Sequence, residues 1–277
     1  MTPVCHTWLP HPQRCFYFGT MTTFVGVGLS DIGRARTRNE DSLALLLSGG
    51  IAVIADGMGG HPGGDVASRI AATHTAKMLN AQLGSEAPPQ SVLDEMRSTM
   101  LESVMSAHQA IREAVAQDEE LEGMGTTLTA VALDLATREY VLGHVGDSRA
   151  YRLRAGELVQ LTRDDTWVQE RVDTNELTLE QARDHPYGHI LTQCVGLEEP
   201  PVPHLHDGTA LAGDVFLLCS DGLVGMLEDE DIALILREQL GDAGDPEVLE
   251  PAAHALVAAA NEAGGYDNIT LIILLIA

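Results

Sequence analysis

Cysteine is scarce in this chain of 277 residues. Cys5, Cys15, Cys194 and Cys219 show no pair at the short spacing of zinc ligands, and four thiols in so long a chain make no disulfide framework. A reducing cytoplasm is the compartment this usage suits. Positive charge is also short: 16 Lys and Arg stand against 41 Asp and Glu, a formal net charge of −25. Such a surface repels nucleic-acid phosphate and anionic membrane and favours metal cations or basic partners. Long hydrophobic runs are missing as well. The longest, Ile269 to Ala277, falls far short of the ~20 residues of a membrane span. Near the N-terminus Pro10, Pro12 and Arg14 break the apolar pattern and no basic n-region precedes them, so no signal peptide is read there. Trp8 and Trp167 offer no evident stacking platform, and there is no internal repeat or low-complexity linker.

What remains is 45% hydrophobic, enough to bury a substantial core in one domain. Apolar runs at 24–29, 43–47, 51–55, 127–133, 140–145, 215–219 and 269–276 read as strands. Between them lie helical stripes: Leu93, Met96, Met100, Val104, Ala107, Ile111 and Val115; Val66, Ile70, His74 and Met78; and Val248, Ala252, Leu256 and Ala260, each recurring every three or four residues. His74 is read as a core or edge histidine. Residues 1–22 carry no chemistry and no periodic pattern, and are expected to be a disordered extension or a misassigned start ahead of Met21. Residues 23–277 form one domain in which sheets are covered by helices.

The acids are placed unlike solvated surface charge. Asp56 ends the run IAVIAD, Asp147 ends YVLGHVGD, Asp221 ends VFLLCSD, Asp267 precedes NITLIILL, and Glu40 with Asp41 precedes SLALLL. Singly, each suits a turn. If those strand ends converge, the carboxylates share one small volume, where repulsion raises their pKa values unless a cation neutralises them. Oxygen donors with no His or Cys set point to Mg²⁺ or Mn²⁺ over zinc or copper.

The segments RTRNED (36–41), ADGMGG (55–60), GTTL (125–128), GHVGDSRAYRLRAGELVQLTRDDTW (143–167), LLCSDGL (217–223) and GGYDNITLIIL (264–274) together resemble the bacterial branch of the metal-dependent type 2C (PPM family) Ser/Thr protein phosphatases. The resemblance spans residues 24–277. It implies an α+β fold, a four-layer αββα sandwich of two mainly antiparallel sheets with helices on both outer faces. It implies two core Mn²⁺ or Mg²⁺ ions and a weaker third: Asp56 bridging the core pair, the Gly57 carbonyl on one of them, Asp221 and Asp267 on the other, and Asp147 on the third. Glu40, Asp41 and Asn268 would act from a second shell. Asp56 and Arg36 are the expected catalytic residues, Arg36 as the phosphate clamp, since a guanidinium fork matches two phosphate oxygens. The separation between Arg36 and Asn39 singles out Arg36, and Arg34 and Arg38 are read as ordinary surface charge.

The resemblance also implies the activity, hydrolysis of phosphoserine and phosphothreonine by water activated between two metals. Its partners would be phosphorylated proteins and a cognate bacterial Ser/Thr kinase, with no nucleic acid or membrane, and the chain a cytoplasmic monomer. A non-catalytic regulatory or binding module and a two-metal phosphodiesterase are the alternative readings. Residues 164–196 resemble the family's flap, though Asp165 and Thr166 stand where His and Ser are more usual. His185 and His189 are expected to be exposed. Met58 occupies the turn position of a general-acid histidine in eukaryotic relatives and cannot donate a proton, which leaves His61 a candidate.

Overall fold

The computed structural model describes residues 14–17, 24–58, 63–83, 92–183, 185–241 and 246–277. Eleven strands are formed among them: β1 (Arg14–Tyr17), β2 (Phe24–Asp31), β3 (Asp41–Leu46), β4 (Ile51–Asp56), β5 (Leu128–Leu133), β6 (Glu139–Val145), β7 (Arg149–Arg154), β8 (Glu157–Gln160), β9 (His204–Thr209), β10 (Val215–Cys219) and β11 (Ile269–Ile276). The α-helices are α1 (Gly64–Leu83), α2 (Val92–Gln117), α3 (Trp167–Asp173), α4 (Leu179–Arg183), α5 (Asp221–Val224), α6 (Asp229–Leu240) and α7 (Leu249–Glu262). One sheet has the order β1-β2-β11-β10-β7-β8 and the other β3-β4-β5-β6-β9. Every pairing described is antiparallel.

Side-chain alternation builds four layers from these two sheets, because successive residues of a strand point to opposite faces. In β10, Phe216 and Leu218 face the other sheet, whereas Val215, Leu217 and Cys219 face α6 and α7. In β4, Ala52 and Ile54 point inward and Ile51, Val53 and Ala55 pack under α1 and α2. The same split runs through β11 and β6. Three apolar layers therefore lie between four layers of secondary structure, the αββα sandwich that the motifs imply. Runs such as Ile269–Ile276 are buried on both faces, which is why they read as continuous hydrophobic segments.

The α2 stripe is as expected: Met96, Met100, Val104, Ala107 and Ile111 are buried. The α1 stripe is displaced by one residue. Ala67, Ala71, Thr75 and Leu79 face the sheet, while Val66, Ile70, His74 and Met78 are half-buried at its flank. Small residues let the helix lie close to β4 and β3, and the larger side chains then fill the groove beside it; His74 Nε2 meets Ser106 Oγ of α2 at 2.9 Å. Four strands went unread: β1, β7, β8 and β9. The segment expected to be featureless thus contributes β1, Arg14 to Tyr17, whose register runs against Leu29 to Gly26 of β2. Cys194 and Cys219 are buried free thiols. Among the described residues no helix is long and apolar enough to cross a membrane.

The inter-sheet layer ties both halves of the molecule together. Leu218 is fully buried there, and Leu218→Ala should lower unfolding free energy by about 3 kcal/mol, the usual cost of a core leucine cavity. A urea titration read by tryptophan fluorescence or circular dichroism would show an unchanged midpoint if this layer were slack.

Candidate active site

All the strand-end acids emerge at one end of the sandwich. Asp41 opens β3 and Asp56 closes β4, and the two are register partners, so their side chains leave the same face directly opposite each other. Like charges so placed repel. From the other sheet come Asp221, immediately after β10, and Asp267, immediately before β11; Asp147 follows β6.

Their ionisation reports the crowding. Burial raises the Asp56 carboxyl well above its ordinary value, and the charges of Asp41, Asp221 and Asp147 push it further. Asp147 is raised well above the ordinary value by burial and by Asp221 and Asp164, and Asp221 is raised by burial and by Asp267. Asp41 is pushed up to about 7, by burial first and then by Asp221 and Asp267, against hydrogen bonds from Thr270 and Ser220. Carboxylates from both sheets therefore feel one another across a single basin.

Short polar side chains fix the basin's walls. Thr126 Oγ1 donates to the Asp56 carbonyl at 2.8 Å, Thr127 N donates to that carbonyl at 2.9 Å, and the Asp56 amide donates to Thr127 Oγ1 at 2.9 Å. Thr127 Oγ1 in turn meets Ser148 Oγ at 2.7 Å, linking the Asp56 and Asp147 ends. Ser220 Oγ donates to Asp41 Oδ2 at 2.9 Å. A side chain at Gly57 is impossible: its Cβ would lie 2.2 Å from the Gly64 carbonyl oxygen and 2.6 Å from that of Glu40. At Gly222 the Cβ would stand 2.0 Å from the Asn268 carbonyl oxygen. Thr126, Thr127 and Ser220 fall within GTTL and LLCSDGL, but nothing in those segments marks a hydroxyl as the partner of an acid.

Asn268 organises the opposite wall. Its Nδ2 donates to the carbonyls of Ile32 at 3.0 Å and Arg38 at 2.9 Å, and its Oδ1 accepts from the Glu40 amide at 2.8 Å. Glu40 has its carbonyl taken by the Gly57 amide at 3.1 Å and by Ser68 Oγ at 2.5 Å, while its half-exposed carboxylate stands beside Gly64. Arg36 reaches back into the basin, where NH2 donates to Asp267 Oδ2 at 2.6 Å. Burial opposes its charge, but the Asp267 hydrogen bond and the charges of Asp267, Glu40 and Asp221 outweigh that and raise its pKa.

The segment 164–196 begins on two clasps. Arg149 holds Asp164 through Nε and NH2 at 2.8 to 3.1 Å. Asp165 Oδ2 accepts from the Gly146 amide at 3.0 Å, and its Oδ1 lies 2.8 Å from His204 Nε2. Thr166 caps α3 by accepting from the Gln169 amide at 3.2 Å. Trp167 does make ring contacts, contrary to expectation: His185 lies 5.2 Å away and Tyr187 5.5 Å away between centroids, with Arg171 on the ring. His185 is accordingly half-buried, not exposed, whereas His189 is exposed. Met58 packs its methyl against Gly125. His61 lies outside the described residues.

Among the described residues no trio of acidic, histidine or cysteine side chains is set at metal-ligand spacing, so the acids form an open basin and not a closed cage. The donor set still fits a hard cation. Among the described residues Asp41 Oδ1 and Asp221 Oδ1 are buried with no hydrogen-bond partner, an arrangement that costs free energy unless something positive meets it. Mg²⁺-type ions keep several waters and take few carboxylates, which an open basin allows.

A model of the family described as Protein phosphatase 2C matches residues 31–258. The chain belongs to the protein phosphatase 2C family. Within that family it is 39% identical over 248 residues to the Ser/Thr protein phosphatase PstP of Mycobacterium tuberculosis, a match covering 88% of this chain and 43% of PstP. This chain therefore spans less than half the length of that relative. Against the protein phosphatase PhpP of Streptococcus pneumoniae it is 33% identical over 247 residues, covering 88% of this chain and 94% of PhpP. The crystal structure of PstP superposes with a TM-score of 0.79 at 37% identity, over 91% of this chain and 98% of that one. A structure of the PstP catalytic domain with two manganese ions superposes at 0.74, with 36% identity, over 91% and 97% of the two chains.

Asp41 supplies a pH test of the basin. Its carboxyl holds a proton up to about 7 when folded and releases it near ~3.9 when unfolded, so between those values the native state binds the extra proton and stability falls as pH rises. In excess chelator, raising the pH from about 5 to 8 should lower stability by on the order of 2 kcal/mol. Mn²⁺ should cancel that loss, because a cation in the basin favours the ionised form of every carboxyl around it. A melting temperature in chelator that is flat or rises across this window would contradict the crowded basin.

Proposed function

We propose that this chain is a metal-dependent phosphatase of phosphoserine and phosphothreonine in proteins, acting in the cytoplasm as a monomer and opposing a bacterial Ser/Thr kinase. The observation that carries the reading is the convergence of Asp41, Asp56, Asp147, Asp221 and Asp267 beside Arg36 at one end of the sandwich. When bound, two Mn²⁺ or Mg²⁺ ions supply positive charge and a water acidic enough to attack phosphorus near neutral pH. Asp56 would touch both, with the Gly57 carbonyl on one side and Asp221 and Asp267 on the other. Glu40 and Asp41 would act on them mainly through bound waters, and Asn268 holds the backbone around them.

The remaining work falls to the protein's own groups. Arg36 presents two parallel N–H donors to phosphate oxygens, which orients the phosphoryl group and offsets its charge. Thr126 and Thr127 keep Asp56 from rotating out of the basin. Ser220 holds one Asp41 oxygen, and the other meets no donor among the described residues. The Met58 thioether has no proton to give, so protonation of the leaving alkoxide must come from another acid, and Asp147 would be the residue that holds a third, weaker ion on that side of the basin.

Two measurements test this. A chromogenic phosphate monoester should be hydrolysed with Mn²⁺, stop on chelation and resist replacement of Mn²⁺ by Ca²⁺, while a phosphodiester should turn over poorly; Arg36→Ala should cut kcat/KM by roughly 100-fold, as loss of a charged clamp does, with Mn²⁺ affinity nearly intact. Full turnover in chelator or preference for the diester would overturn the reading. Separately, Asp147→Ala should keep two tightly held Mn²⁺ by calorimetry yet slow a phosphothreonine peptide at least tenfold more than an aryl phosphate, since only the alkoxide needs its proton. Equal losses would place the acid elsewhere, with His61 next to be substituted.

A further inference from the structure

Three of the 16 Lys and Arg residues fall within five positions, at Arg34, Arg36 and Arg38, in a chain whose charge is otherwise strongly negative. Arg36 is engaged by Asp267. Arg34 and Arg38 are exposed and form no ion pair among the described residues. That is unusual where acids outnumber bases so heavily, because a free guanidinium is surrounded by candidate partners. Arg38 lies near enough to Glu40 to draw its carboxyl down against the upward pull of burial, yet no contact closes.

The loop carrying these arginines is held rigidly. The amides of Arg34 and Ala35 donate to the Gly265 carbonyl at 2.7 and 3.2 Å, the Gly33 amide donates to Asp31 Oδ1 at 2.9 Å, and Asn268 grips the carbonyls of Ile32 and Arg38. The stem of Arg34 lies over Gly265, whose added Cβ would come within 2.9 Å of Arg34 Cγ. Backbone contacts at 32, 33, 34, 35, 38 and 40 thus fix a ridge from which charges project, so a ligand need not order the loop on binding. Exposed Ile32 and Tyr266 stand on the same rim.

We infer that Arg34 and Arg38 form a specificity ridge that selects phosphopeptides carrying Asp or Glu beside the phosphorylated residue. This rests on the phosphatase reading above and names its substrate class. With the phosphate on Arg36, residues one to three places away in an extended peptide lie within ~11 Å, inside the reach of arginines two positions to either side. The overall negative charge does not cancel this preference, because charges more than a Debye length of ~8 Å away are largely screened at physiological salt.

The test uses the full Mn²⁺-loaded chain, an aryl phosphate, and two phosphothreonine peptides that differ only in Glu or Gln at the flanking positions. Wild type should favour the Glu peptide in kcat/KM by about three- to tenfold at low salt, the scale of two exposed ion pairs, and the preference should shrink toward parity near ~0.5 M salt. The double variant Arg34→Gln/Arg38→Gln should treat the peptides alike with aryl phosphate turnover unchanged, and Arg34→Lys/Arg38→Lys should keep the preference. A wild type indifferent to the flank, or a Gln variant that still prefers Glu, would overturn the inference. So would a parallel fall in aryl phosphate turnover, since the ridge would then be supporting the site instead of reading the substrate. No turnover of any of the three by wild type would instead sink the phosphatase reading beneath it.

Discussion

Mutual repulsion among buried carboxylates is the constraint around which this molecule is arranged. Asp41 and Asp56 face each other across one sheet, Asp221 and Asp267 approach from the other, and Asp147 closes a third side. Nothing in their own chemistry favours that proximity in water. It is imposed by the apolar layers behind them: Ile54, Leu142, Phe216, Leu218 and Ile272 lock the two sheets face to face, and burial worth roughly 25 cal/mol per Å² over such a layer outweighs several opposed charges. The acids lie where the strands run out because that is the last position the hydrophobic packing can hold and the first that solvent ions can reach.

The basin is not satisfied evenly. Asp267 has donors on both oxygens, Arg36 on Oδ2 and its neighbour's amide on Oδ1. Asp41 and Asp221 each keep one buried oxygen that meets no donor among the described residues. A site built only for stability would have supplied a hydroxyl or amide there, as Thr127 and Ser148 are supplied to each other a few residues away. Leaving those oxygens bare concentrates negative potential between the sheets, and Arg36 answers it only from the rim.

Much of this was legible in the residues because burial leaves a long trace. Strands buried on both faces, such as β4, β10 and β11, read as apolar runs, and an acid terminating such a run stands out against it. The strands β7, β8 and β9 left no such trace: in RAYRLR the buried Ala150, Tyr151 and Leu153 are interleaved with half-buried arginines, and β8 and β9 lie largely half-buried or exposed at the sheet edges, where polar residues such as His204 and His206 are tolerated. The displaced stripe of α1 has a related cause. Periodicity identifies an apolar face by its bulkiest members, but where a helix lies close to a sheet the innermost positions go to alanine and threonine. Thr127 and Ser220 were overlooked because a hydroxyl placed to fix a carboxylate looks in sequence like any polar residue near a turn.

The same logic separates the two kinds of positive charge near the basin. Arg149, at the basin end of β7, is absorbed by Asp164, and Arg154, at the far end of the same strand, by Asp214, buried or half-buried pairs in which each charge answers for the other's desolvation. The arginines of the 34–38 loop are treated differently. Their backbone is bound at almost every residue through Asn268, Gly265 and Asp31, while two of the three side chains form no ion pair among the described residues. A rigid loop bearing uncommitted charge is costly to maintain in an acidic protein, where pairing would be easy. Its order comes from the wall that also sets Glu40 and Asp267, so the geometry of the acidic basin and that of the arginine rim are established by one set of hydrogen bonds, and a change in Asn268 would disturb both together.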